Sequence, residues 1–134
     1  MIPPEAKASM QGALPSILCT CSADGTPNVT HISQVWYVDE NHVAASFQFF
    51  NKTKRNIGEN PRAAIRLFDP KNPHRWVIEA RYLRTETSGS TFDDMESQLE
   101  AIASMTGMED VFHLRGADIY EVLSIERVEF IPSE

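Results

Sequence analysis

Phe49-Phe50-Asn51-Lys52-Thr53-Lys54-Arg55-Asn56-Ile57-Gly58-Glu59-Asn60-Pro61 is the stretch on which the fold turns. Two aromatics close a β-prone run, and a short helix follows that Asn60-Pro61 stops. Asn51 is a fitting N-cap, because its side-chain oxygen can accept a bond from an early helical N–H. The charges run against the helix dipole. Lys52, Lys54 and Arg55 crowd the positive first turn, and Glu59 sits near the negative end. A free helix loses roughly 0.3–1 kcal/mol per misplaced charge at low salt. A bound anion reverses that balance, since it accepts the unbonded first-turn N–H groups and pairs with the cations at once. Two readings therefore stand side by side: a phosphate site at residues 51–55, or a solvated basic helix whose penalty is tolerated.

The rest of the chain frames this stretch. At 134 residues it is long enough for one core, so residues 1–134 are taken as a single domain. Its 42% hydrophobic and 23% charged content is that of an ordinary globular protein. A net charge of −7 argues against a nucleic-acid partner, which selects for basic surplus. A local basic patch in an acidic chain suits a small anionic ligand better. No apolar run approaches the ~20 residues of a membrane span, and the N-terminus lacks the charged and apolar regions of a signal peptide. The expected location is the cytoplasm.

Working back from residue 49, positions 43–50 alternate as a strand, with Val43, Ala45, Phe47 and Phe49 on one face. Glu40-Asn41 marks a turn, 28–38 reads as one long strand, Asp24-Gly25 as a hairpin turn, and 16–21 as the first strand. Residues 3–12 form a short helix opened by prolines and closed by Gly12. Forward of the basic helix, 63–68 and 76–87 are strands separated by Asp69-Pro70-Lys71-Asn72-Pro73. The second is long and carries Glu79 and Arg81 on one face, the habit of strands that curl around a barrel or meet a partner. Residues 91–105 are an amphipathic helix with Phe92, Met95, Leu99, Ile102 and Ala103 along one side, and 120–131 is the last strand. This helix obeys the dipole rule, with Asp93 and Asp94 in its first turn. Short connections favour antiparallel neighbours. The expected class is mainly β (α+β): a six-stranded antiparallel barrel, closed or partly closed, with flanking short helices.

Other chemistry is thinly marked. Cys19 and Cys21 are two apart on one strand, which is neither a redox C-x-x-C pair nor a zinc set, and they read as small residues of a buried face. His31, His42, His74 and His113 have no metal-ligand spacing, so no metal is expected. There is no P-loop, nucleophile elbow or dinucleotide fingerprint. Catalytic residues are not identifiable.

Two motifs now carry a family resemblance. Leu18-Cys19-Thr20-Cys21-Ser22-Ala23-Asp24-Gly25-Thr26-Pro27-Asn28-Val29-Thr30 resembles the opening hairpin "a-T-x-x-x-D-G-x-P-x-v" of the FMN-binding split-barrel proteins, the superfamily of the pyridoxamine 5′-phosphate oxidases. Asn51-Lys52-Thr53-x-x-Asn56-Ile57-x-x-Asn60-Pro61 is similar to their "K-T-x-x-N-[LIV]-x-x-N-P" helix after the third strand. The strand order agrees as well. The resemblance implies a split barrel and a flavin whose phosphate is held by Asn51, Lys52 and Thr53. It implies further contacts from Thr30, His31, Ile32 and Ser33 to the isoalloxazine ring, and from Ser46, Phe47 and Gln48 near the ribityl chain or ring. Lys54 and Arg55 would steer or touch the anion. His31 could bond the ring or serve as a proton donor, or be a satisfied strand histidine.

The resemblance further implies a homodimer with the flavin at its interface, and exposed Trp36, Tyr37 or Trp76 would favour one. Two departures narrow the function. The run Val77-Ile78-Glu79-Ala80-Arg81 lacks the glycine of the family's "G-x-A/G" pattern, and the C-terminal arginine and histidine pattern that grips pyridoxal phosphate is not recognisable. The expectation is an FMN-dependent oxidoreductase of unnamed substrate, not a true pyridoxamine-phosphate oxidase. A non-catalytic flavin sensor or electron-transfer module is the alternative, and so is a split barrel using the deazaflavin F420.

Overall fold

A computed structural model describes residues 1–10, 15–47, 51–69, 74–106 and 114–129. A 3-10 turn, Pro4–Ser9, leads into strands β1 (Ser16–Cys21), β2 (Pro27–Ile32), β3 (Val35–Asp39) and β4 (His42–Phe47). Helix α1 (Asn51–Glu59), β5 (Arg62–Phe68), β6 (His74–Glu86), α2 (Ser90–Thr106) and β7 (Gly116–Glu129) complete it. All neighbouring strands are antiparallel, in the order β2-β1-β5-β6-β7-β4-β3.

The sheet thus has seven strands, not six. The stretch 28–38, read as one strand, breaks at Ser33-Gln34, and its halves go to opposite edges of the sheet: β2 pairs with β1, and β3 pairs with β4. Two residues cannot bridge the width of a flat seven-stranded sheet, which is roughly 4.8 Å per strand. The sheet must therefore roll until its edges meet, and the result is a barrel closed everywhere except at this seam.

The seam is built from specific bonds. Gln34 is fully buried; its backbone N–H donates to Ser46 Oγ at 3.2 Å, and its carbonyl accepts the Ser46 N–H at 3.2 Å. Its side-chain Nε2 reaches α2, donating to the Met95 carbonyl and to Gln98 Oε1, both at 3.3 Å.

Side chains of the strands, of α2 and of the N-terminal segment sort into two cores. The barrel interior holds Leu18, Ile32, Val35, Val43, Ala45, Ile65, Leu67, Trp76, Ile78, Tyr120 and Val122, with Ile2, Ala6 and Met10 from the N-terminus. The outer core lies under α2, where Met95 and Leu99 meet Ala44, Ala117, Ile119 and Leu114. The expected apolar stripe of α2 is therefore the buried one at Met95, Leu99 and Ala103, with Phe92 partly covered.

Irregularities in β6 and β7 shape the barrel. The register shifts between Glu79 and Ala80, and again between Tyr82 and Arg84. Such bulges bend long strands and increase their twist. The second one also resets the inward–outward alternation. Tyr82 faces Tyr120, Leu83 is the extra residue, and Thr85 faces Asp118. Without it Arg84 would point inward instead of Thr85.

The β1–β2 hairpin turns at Asp24-Gly25, where Gly25 has φ +88°. Asp24 Oδ1 accepts bonds from the Ser22 hydroxyl, from Thr26 N–H at 3.1 Å and from Thr26 Oγ1 at 2.8 Å. The Ser22 bond first, then those of Thr26, hold the Asp24 carboxyl down to about 2, against an ordinary 3.8.

Cys19 and Cys21 correct another expectation. The buried residues of β1 are Ser16, Leu18 and Thr20, so both cysteines point to the outer face, half-buried and unoxidised. Apolar content alone misassigns the face, because the inward row of β1 contains two hydroxyl residues, Ser16 and Thr20, the second of which accepts a bond from Asn56.

Candidate functional site

Helix α1 lies across one end of the barrel and is tied to four strands. Thr53 is buried, and its Oγ1 accepts a bond from Asn28 Nδ2 on β2 at 2.8 Å. Asn56, also buried, donates to Thr20 Oγ1 on β1 at 3.2 Å. Lys54 turns the other way and enters the barrel wall formed by β6 and β7. Its ammonium pairs with Asp118 Oδ1 at 2.7 Å and donates to Thr85 Oγ1. Thr85 in turn donates to Asp118 at 2.5 Å, and the Tyr82 hydroxyl lies 2.6 Å from Thr85 Oγ1.

Asp118 is 1% exposed, so its charge must be met inside the protein, and Lys54 meets it. Lys54 also lies over the Tyr82 ring, 5.1 Å from its centre, and Tyr82 packs edge-on against Tyr120. The Tyr120 hydroxyl is buried with no hydrogen-bond partner among the described residues. Burial, then the neighbouring Asp118 charge, pushes it up from the usual phenol range, so Tyr120 stays protonated.

These ties determine what the first turn of α1 offers to a ligand. It contains no acidic residue. Of its three cations, Lys54 is committed to Asp118, while Arg55 is exposed. For Asn51 and Lys52 the backbone alone is described, and it is helical from Asn51 onward. Expected as the cap, Asn51 is the first helical residue, a difference of one position of the kind that helix ends show. By contrast, α2 carries Asp93 in its first turn and has no need of an anion.

The remaining sequence-predicted residues divide between faces. Thr30 and Ile32 share the inward row of β2; Ile32 is a core residue at 2% exposure, and Thr30 is half-buried. His31 points outward and is exposed. Ser33 sits at the seam beside Gln34, and Ser46 is buried in the bonds that hold Gln34. Phe47 ends β4, with its backbone alone described, and Gln48 lies outside the described residues. The structure thus gathers Ser33 and Ser46 at the seam and Thr53 at the barrel end, and separates His31 from Thr30 and Ile32.

Asp118, Thr85 and Tyr82 were given no role by sequence reasoning, and Asn28 and Asn56 entered it only as motif positions, not as site residues. Arg115-Gly116-Ala117-Asp118 reads as a turn, yet β7 begins at Gly116 and Asp118 is the buried counterion of Lys54. The one available signal was the inward alternation of Asp118, Tyr120 and Val122.

Of the aromatics expected to favour an interface, Trp76 is buried and Trp36 and Tyr37 are partly buried within the chain. Trp76 is 6% exposed in the barrel core, Trp36 packs in the core under α2, and Tyr37 lies beneath Lys7, 4.0 Å from its ring centre. On the outer face, Cys19, Cys21, Pro27, Ala64 and the Arg62–Glu79 ion pair line an open cavity of about 270 Å³. That is below the ~300–1,000 Å³ of small-molecule pockets. Among the described residues no cluster of three potential metal ligands occurs, and no helix is long and apolar enough to cross a membrane.

Comparison with known proteins bears on this arrangement. A family model described as pyridoxamine 5′-phosphate oxidase matches residues 2–125. An FMN-binding protein from Syntrophomonas wolfei superposes with a TM-score of 0.75 at 14% identity, covering 96% of this chain and 85% of its own. HupZ from Group A Streptococcus gives 0.72 at 19% identity, with 96% and 95% covered. An F420 reductase gives 0.67 at 16%, with 93% and 98% covered. At these identities the structural likenesses show the fold. No curated protein matches the chain in sequence.

Proposed function

Because the chain belongs to the pyridoxamine 5′-phosphate oxidase family, we propose that it binds FMN and works as a flavin-dependent oxidoreductase. The observation that carries this is the first turn of α1: N–H groups without an acidic neighbour, basic residues beside them, and side-chain bonds from Thr53 and Lys54 that tie the helix to the barrel. An anion fits such a turn, and a phosphate supplies the charge that the turn lacks.

In this reading the first-turn N–H groups of Asn51, Lys52 and Thr53 hold the phosphate and Lys52 adds charge. His31, Ser33 and the backbone of Thr30 and Ile32 line the ring. Ser46, Phe47 and Gln48 flank the ribityl chain. When bound, FMN supplies hydride or single-electron transfer, and the protein supplies position and electrostatics. Two copies share the flavin between them, in the cytoplasm. Pyridoxamine phosphate is not the substrate proposed, since the C-terminal arginine and histidine pattern that grips it is not recognisable in this sequence.

F420 is the second reading, supported by the fold shared with an F420 reductase. A flavin sensor or electron carrier is the non-catalytic form of the same reading. Equilibrium titration of the apoprotein with FMN, riboflavin and F420, followed by fluorescence, separates them. FMN binding tightly and riboflavin weakly is the expected result. Preference for F420 changes the cofactor, and no binding by any of the three overturns the function. Flavin reduction that depends on a nicotinamide donor and on substrate separates the enzyme from the carrier.

A further inference from the structure

We propose that Lys54 and Asp118 are a positioning pair for the phosphate site, acting through the orientation of α1 and not by contact with the ligand. The proposal rests on the flavin reading above and deepens it. Thr53 and Lys54 are adjacent in the chain, yet they fasten α1 to β2 on one wall and to β6 and β7 on the other. In the sheet order, β2 and β7 are separated by β1, β5 and β6. A helix of nine residues bonded at both walls must break one of these ties to rotate about its axis or slide along it. Its first-turn N–H groups then keep one direction, which preorganisation for an anion requires.

Lys54 is the strongest of the ties. It forms an ion pair, it meets a carboxylate at 1% exposure, and Thr85 shares both partners, whereas the other charged contact of α1, Glu59 accepting the Ala23 N–H at 3.2 Å, is exposed. The geometry needs the register shift at Leu83, which puts Thr85 and not Arg84 beside Asp118. The Lys54 side chain remains 32% exposed, but its ammonium is engaged by Asp118 and Thr85, so in this proposal the phosphate draws its charge from the neighbours of Lys54.

The readout is the ratio of riboflavin to FMN dissociation constants, because only FMN carries the phosphate. The variants are Asp118→Asn and Lys54→Met, with Thr85→Val as a milder change should either of the first two fail to fold. If the pair positions α1, each folded variant lowers the ratio about three- to thirtyfold while riboflavin affinity stays unchanged. Asp118→Asn is decisive. Were Lys54 itself a phosphate contact, releasing it from Asp118 would leave the ratio equal or higher, and that result overturns the proposal. A lower melting temperature with an unchanged ratio overturns it too, since it shows stability without positioning. A wild-type protein that does not prefer FMN to riboflavin fails the flavin reading itself, a separate outcome from failure of the pair.

Discussion

Ile32 and Val35 are three residues apart in the chain and belong to strands on opposite edges of a seven-stranded sheet. The barrel seam is the two residues between them, and Ser46 is its clasp. Ser46→Ala leaves the Gln34 N–H buried without its acceptor. The expected cost is about 1–3 kcal/mol, read as a lower urea midpoint with an unchanged slope.

Tyr120→Phe should have the opposite sign. The wild-type hydroxyl is buried and unpartnered, and its removal leaves the ring packing against Tyr82 intact. The variant should be as stable as wild type or more stable, by on the order of 1 kcal/mol, since an unpaired buried hydroxyl carries a desolvation penalty. Urea unfolding measures it. A loss of several kcal/mol would show that the hydroxyl has a partner.

Lys52→Ala should weaken FMN binding by about 1.5–3 kcal/mol, the worth of a charge-assisted hydrogen bond. Riboflavin affinity should not change. An FMN dissociation constant equal to that of wild type would remove Lys52 from the site.

Asp24 predicts a pH dependence confined to the acid range. Its folded-state carboxyl, at about 2, lies below the ordinary 3.8, so the ionised form is favoured by folding. The contribution is fully present above the unfolded value and is lost as pH falls through the folded one. The melting-temperature difference between wild type and Asp24→Ala should be constant near neutrality and shrink from about pH 4 toward pH 2. A difference that disappears near pH 6 would point to another group.

Much of this was legible in the sequence where the determining forces are local. The turn at Asp24-Gly25, the apolar spacing of Met95, Leu99 and Ala103, and the stop at Asn60-Pro61 each declare themselves within a few residues. The break at Ser33-Gln34 does not, because the residues on both sides are β-prone and the change of edge depends on pairings with β1 and β4. The face of Cys19 and Cys21 was misread for a related reason: Ser16 and Thr20 are polar yet inward, so polarity could not assign the row. At the site, the reversed charges of Lys52, Lys54 and Arg55 were plain, but their division was not. That Lys54 answers to Asp118, 64 positions away, depends on a register shift that no periodicity announces.

The fastening of α1 has a further consequence, for the way the molecule opens. A nine-residue helix is too short to persist alone in water. Bonded to strands on both sides of the barrel, it belongs to the same cooperative unit as they do. Its interior amides should therefore exchange with solvent at the rate of global unfolding, without local fraying ahead of it. The ligand site and the fold would be lost in a single event.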